Sequence, residues 1–176
     1  APPPARTAKP LNPPALPDAR QTPDPCPQAK PLTPGGATYG APFGSIDAAA
    51  LAALIEASQA TALRVTPWRL FILENAKSCA NYGFITDAGD PLLHTHACPG
   101  APACSSATVD TRALARQLTK PSLHISGCAT GCAHPRRAAT TLVGNNGTFD
   151  LVENGHPWDA PRQRGLTAQD LLTPAS

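Results

Sequence analysis

An α/β (or α+β) fold, a sheet covered by helices, is what this 176-residue sequence predicts. Three observations carry that class. Segments with helical apolar spacing alternate with short apolar runs that suit strands. Two glycine-containing cysteine loops each follow such a run. Near the C-terminus, "TTLVGNNGTFDLVENG" reads as a hairpin, because Asn146-Gly147 supplies the positive φ angles of a tight reversal.

The chain uses its residues unevenly. Of its 22 prolines, 13 fall within the first 42 positions, in a stretch with few large hydrophobes and no apolar period. Residues 1–36 therefore read as a proline-rich linker or tail, since such a composition buries too little to offset the ordering of the chain. Methionine is absent, position 1 included, so the chain reads as a piece of something longer. The net charge of +2 is too small to point to nucleic acid. No apolar run reaches the length of a membrane span, and the start lacks a signal-peptide pattern, so the expected compartment is the cytoplasm with no membrane partner.

Beyond Gly36 the elements follow in order. "SIDAAALAALIEAS" sets Leu51, Leu54, Ile55 and Ser58 at helical spacing behind a cap at Ser45 or Asp47. "ALRVT" alternates, with Leu63 and Val65 on one face and Arg64 and Thr66 on the other, and predicts a half-buried strand. After Pro67, "RLFILE" predicts a second strand, giving a helix on a hairpin, with Trp68 in the core between the two strands. "AKSCANYG" predicts a short helix ending at Gly83, and "LLHTHA" a strand running into Cys98. "VDTRALARQL" predicts a helix capped by Asp110 with an apolar stripe of Ala113, Leu114 and Leu118. "SLHIS" is a strand leading to the second cysteine pair, and "TAQDLL" a final helical turn or two. These elements predict a first unit over 37–76 and a second over 77–176.

Six cysteines occur, and four of them form the pairs "CPGAPAC" (Cys98, Cys104) and "CATGC" (Cys128, Cys132). If the strands before the two loops are parallel neighbours, both loops meet at one sheet edge. Three readings share these thiols. Disulfides need an oxidising compartment, for which nothing in the sequence speaks. Structural zinc favours two to four intervening residues, which "CATGC" meets and "CPGAPAC" does not. A 4Fe–4S cluster takes four thiolates and needs backbone N–H donors near its sulfides, hence loops of small residues, and Gly100, Ala101, Ala103, Ala129, Gly131 and Ala133 provide these. Pro99 and Pro102 stiffen the first loop. Cys26, in the tail, and Cys79 read as spectators.

"ACPGAPAC" followed by "LHISGCATGCAHP" resembles the cluster signature of the sulfite and nitrite reductase family, C-x5-C and then C-x3-C, and within it the precorrin-3B synthase branch. "YGAPFGSIDAAALAALIEASQATALRVTPWRLFILEN" resembles that family's ferredoxin-like half-domain, so the resemblance spans about residues 38 to 160 and covers only the C-terminal half of a family member. The resemblance implies a sulfite/nitrite reductase-like fold, a ferredoxin-like half-domain over 37–76 and a cluster-binding α/β domain over 77–176. It implies that Cys98, Cys104, Cys128 and Cys132 ligate a 4Fe–4S cluster, with a mononuclear non-haem iron as a further metal of this branch. The implied reaction is the oxygen-dependent conversion of precorrin-3A to precorrin-3B in aerobic cobalamin biosynthesis, by hydroxylation and lactone formation. Dioxygen, an electron donor and an N-terminal half would be the partners. The alternatives are a fragment of a sirohaem-containing sulfite or nitrite reductase, or a non-catalytic iron–sulfur electron-transfer subunit.

A precorrin is a polycarboxylate, for which arginine forks are the expected partners. Arg64 and Arg69, on either side of "VTPW", and Arg136 and Arg137, beside the second cysteine loop, are the candidates for substrate binding. His134, two residues from Cys132, is the candidate for proton delivery or for a bond to the cluster's surroundings. His94 and His96 are expected to share a strand face and to serve packing.

Overall fold

The computed structural model describes residues 36–77, 81–118, 120 and 122–173. The proline-rich stretch up to residue 35, Cys26 and Cys79 lie outside the described residues. Among those described, no helix is long and apolar enough to cross a membrane.

The first layer is a three-stranded antiparallel sheet in the order β1-β3-β2, from β1 (Gly36–Gly40), β2 (Ala62–Val65) and β3 (Leu70–Glu74). Both outer strands run against β3, so β1 and β2 are parallel to each other. Helix α1 (Ala48–Ser58) joins them, as a parallel connection requires. It starts where the Asp47 carboxylate accepts the Ala50 N–H at 2.8 Å, satisfying an otherwise orphaned amide. Leu54 of α1 packs on Tyr39, Phe71, Leu73 and Phe84, all nearly or fully buried. The rings of Tyr39 and Phe71 stack with centroids 5.5 Å apart, and Phe84 meets Phe71 edge-on at 4.9 Å.

The second layer is a five-stranded mixed sheet, β4-β5-β6-β7-β8. Strands β4 (His96–Ala97), β5 (Leu123–Ser126) and β6 (Ala138–Asn145) are parallel neighbours, and β6, β7 (Thr148–Gly155) and β8 (Gln163–Leu166) are antiparallel. Helix α2 (Thr111–Gln117) crosses from β4 to β5, and α3 (Ala168–Leu172) closes the described chain behind a capping box formed by Thr167 and Asp170. Leu114, Ala115, Leu123, Ile125, Leu142 and Phe149 form the core of this layer. Every residue of β5 is buried, as expected of a strand with parallel neighbours on both sides.

Several expectations are met. Asp47 and Asp110 are the caps of α1 and α2, and the β6–β7 reversal has positive φ at Asn146 and Gly147. Others are corrected. Strand β2 is exposed along its whole length instead of half-buried. Leu63 and Val65 lie opposite Leu73 and Phe71, on the face that carries the core, but at the rim of the sheet. Trp68 is not core; it is 72 % exposed on the β2–β3 turn.

No helix is found among the described residues of 76–83, where Tyr82 and Gly83 take positive φ and the Asn81 side chain accepts the Gly83 N–H. The strand expected over 92–97 shrinks to His96–Ala97, because Pro91 opens a 3-10 turn in which Asp90 caps the Leu92 N–H. His94 ends that turn and does not share a strand face with His96. In α2 the buried stripe is Thr111, Leu114 and Ala115, while Ala113 faces solvent. Strands β1 and β8 were not expected at all. β1 is a five-residue run with a glycine at each end, and β8 is polar and mostly exposed.

Candidate cluster and substrate site

Parallel pairing of β4 with β5 fixes the site. His96 lies beside His124 and Ala97 beside Ile125, so the chain leaves both strands at one edge, with Cys98 following β4 and Gly127-Cys128 following β5. The Cys98 N–H donates to the Ile125 carbonyl at 3.3 Å, extending the ladder by a residue. In return, the Gly127 N–H donates to the Cys98 sulfur at 3.1 Å. The two cysteine loops are in direct contact.

Small residues make this contact sterically possible. A Cβ on Gly127 would lie 2.5 Å from the Ala107 Cβ and 3.4 Å from the Cys98 sulfur. A Cβ on Gly131 would stand 2.9 Å from the Pro157 ring, and Gly131 holds φ at +70°. Within the first loop the Cys104 N–H donates to the Gly100 carbonyl at 2.8 Å, and Thr111 Oγ1 donates to the Cys98 carbonyl. On the second, Ser126 Oγ donates to the Cys128 carbonyl at 2.7 Å, and the Cys128 thiol lies 3.3 Å from Thr130 Oγ1.

All four thiols are free, which removes disulfides among them. Exposure rises from Cys98, which is buried, through Cys104 and Cys128 to Cys132, which is exposed. Among the described residues no three His, Cys, Asp or Glu side chains are grouped to hold a single metal ion. A cubane is larger than an ion and receives its thiolates at four separate corners. A set of soft sulfur donors, an amide already on one sulfur and loops stripped of side-chain bulk suits such a cluster chemically.

Three histidines lie under the loops. The His134 ring stacks on His96 at 4.0 Å and meets His124 edge-on at 5.7 Å. Burial drives the His124 ring down to about 4, helped by the positive charge His134 can carry. Burial likewise lowers His96 to about 4, with His134, Arg69, His124 and His94 adding to the effect. Both are neutral imidazoles at neutral pH. Neither His124 nitrogen has a hydrogen-bond partner among the described residues.

The arginines singled out from the sequence separate into three situations. Arg64 is exposed on β2 and paired with Glu74. Arg69 reaches from the β2–β3 turn to the carbonyls of Leu93 and Thr95, just before β4, and burial lowers its pKa. Arg136 and Arg137 are exposed beyond the second cysteine loop.

A cavity of about 190 Å³ brings Arg69 and His96 together with Cys98, Cys132, Phe43 and Arg112. Arg112, Phe43 and His124 were not singled out from the sequence. A histidine in a strand flanked by parallel neighbours is a burial signal, and it stood in "SLHIS". Nothing local marks Phe43, which lies more than sixty residues away from Arg112 in the chain.

No protein-family model matches the chain. Its sequence is 35% identical over 137 residues to a precorrin-3B synthase from Sinorhizobium sp., covering 66% of this chain and 30% of that protein. Its fold matches the structure of the Mycobacterium tuberculosis NirA protein with a TM-score of 0.54 at 19% identity, over 78% of this chain and 33% of the other. The chain thus spans about a third of the length of each of these two proteins. It is similar in sequence to precorrin-3B synthase and is built on the sulfite/nitrite reductase fold.

Proposed function

We propose that this chain is the cluster-holding C-terminal part of an oxidoreductase of the precorrin-3B synthase type, acting on precorrin-3A in aerobic cobalamin biosynthesis. The observation that carries the reading is the contact between the two cysteine loops at the end of β4 and β5, with the Gly127 amide on the Cys98 sulfur. The sequence likeness to precorrin-3B synthase supplies the substrate class. In this reading residues 37–76 form the ferredoxin-like half-domain and 77–176 the cluster domain.

Cys98, Cys104, Cys128 and Cys132 would hold the 4Fe–4S cluster, whose chemistry when bound is the passage of single electrons. The surrounding protein orients and shields. Backbone amides such as that of Gly127 lessen the charge on the sulfurs, and the buried Cys98 side keeps water away. The His96 ring, held neutral by burial and stacked on that of His134, lies in the wall of the cavity and presents an uncharged imidazole there. In the overall reaction one atom of dioxygen enters the macrocycle and the other leaves as water, with two electrons and two protons drawn from a donor.

The reading is tested by purifying the full chain without oxygen, measuring iron, sulfide and zinc, and recording a low-temperature EPR spectrum after reduction. Four irons and four sulfides per chain are expected, with a reduced-cluster signal. Serine at Cys98, Cys104, Cys128 or Cys132 should each damage that signal, while serine at Cys26 or Cys79 should leave it unaltered. Zinc in place of iron, or loss of the signal from Cys79→Ser, would overturn the assignment.

A further inference from the structure

Among the described residues, Arg112 is the one Lys or Arg with a buried side-chain nitrogen that lacks a hydrogen-bond partner. It is the second residue of α2, immediately after the first cysteine loop, and its Nε is shielded from solvent with no hydrogen-bond partner. The neighbouring Asp110 is committed to the Ala113 N–H, and no carboxylate among the described residues pairs with Arg112. A guanidinium never loses its charge in a protein, so burying part of one without an acceptor has a cost that an incoming anion would relieve.

The surroundings hold this side chain ready. Its guanidinium lies over the Phe43 ring at 5.8 Å, and Arg116, one helical turn on, lies over the same ring at 5.3 Å. Phe43 is held at φ +59°, a conformation that an L-residue adopts at a cost and that clusters where a site is shaped for a ligand. Arg112 lines two cavities, the one of about 190 Å³ with Cys98, Cys132, His96 and Arg69, and another of about 260 Å³ on the side of Tyr82 and Arg116. No Asp or Glu among the described residues lines the first. Arg69 already gives two N–H groups to carbonyls, which leaves Arg112 as the fork with capacity to spare.

We infer that Arg112, seated on Phe43, binds a carboxylate arm of the substrate beside the cysteine loops. This rests on the tetrapyrrole reading above and adds to it a binding residue and a site for one substituent. A cavity of about 190 Å³ is smaller than the roughly 300–1,000 Å³ that encloses a whole drug-sized ligand, so it admits an acetate or propionate arm and not the ring. The macrocycle would lie across the cavity mouth, with its arm anchored at Arg112.

The test is titration of the full chain with uroporphyrin, an octacarboxylic porphyrin, followed by fluorescence at low and high salt. R112Q should weaken binding about ten- to hundredfold, the worth of a charge-assisted hydrogen bond, and R112K should recover only part of it. R162Q removes the same charge from an exposed pair with Glu153 and should bind as the unaltered chain does. Circular dichroism and EPR on the same samples report fold and cluster. R112Q that binds uroporphyrin unchanged removes this inference and leaves the tetrapyrrole reading standing. A shifted cluster signal in R112Q with unchanged binding would assign Arg112 to the cluster and overturn it equally. An unaltered chain that binds no porphyrin would remove both.

Discussion

At the scale of single residues, the site is set by what is missing as much as by what is present. Gly127 can press its amide on the Cys98 sulfur only because it has no side chain to meet Ala107. His124 shows the opposite case, a polar ring enclosed with no hydrogen-bond partner among the described residues and held neutral by burial, at about 4 against an ordinary 6.5. Since its folded pKa is depressed, the unfolded chain takes up the proton first as pH falls. The contribution to stability is complete above about pH 6.5 and drains away as pH drops toward 4. Between pH 7 and pH 5 this one ring should cost about 2 kcal/mol, read as a lower urea midpoint. His124→Leu should flatten that part of the pH profile. An unchanged slope would mean that other groups carry it.

The cysteines and their small-residue loops were legible in the sequence, because thiol spacing and side-chain size are written residue by residue. Arg112 was not, because its meaning depends on a ring from another layer that only folding brings beneath it.

At the scale of elements, capping and periodicity were the reliable signals. Asp47, Asp110 and Asn146-Gly147 act within three residues of themselves, so their effect can be read locally. Strand exposure depends on neighbours and was misjudged for β2, whose alternation is regular although its core-side residues sit at an open rim. The energetic consequence can be measured by comparing paired positions. Leu73→Ala on the central strand, with the side chain fully buried, should cost about 2–5 kcal/mol in urea unfolding. Leu63→Ala, directly opposite it but 39 % exposed, should cost under about 1 kcal/mol. Equal costs would show that the rim is covered in solution. Likewise β4 was expected to be long and is two residues, because the turn begun by Pro91 uses up the rest.

At the scale of the whole molecule, the two layers meet through a polar link and an apolar one. Arg69 reaches from the first layer to the Leu93 and Thr95 carbonyls just before β4, and Phe43, on the turn after β1, packs against the core of the second. Arg69→Ala would leave both carbonyls short of a donor and should destabilise the chain by about 1–3 kcal/mol. Hydrogen exchange of a peptide spanning 91–97 should then quicken while that of β6 and β7 stays slow. Uniform loss of protection would show instead that the layers unfold as one. Such cross-layer links are invisible in a sequence, where residues 69 and 95 are merely far apart.

The rim of the first sheet has a practical meaning. Among the described residues no strand lies beside the outer side of β2, next to Val65, 71 % exposed, and Trp68. A template of that kind zips onto whatever extended peptide arrives first. The chain should stay dispersed when dilute and clump as it is concentrated.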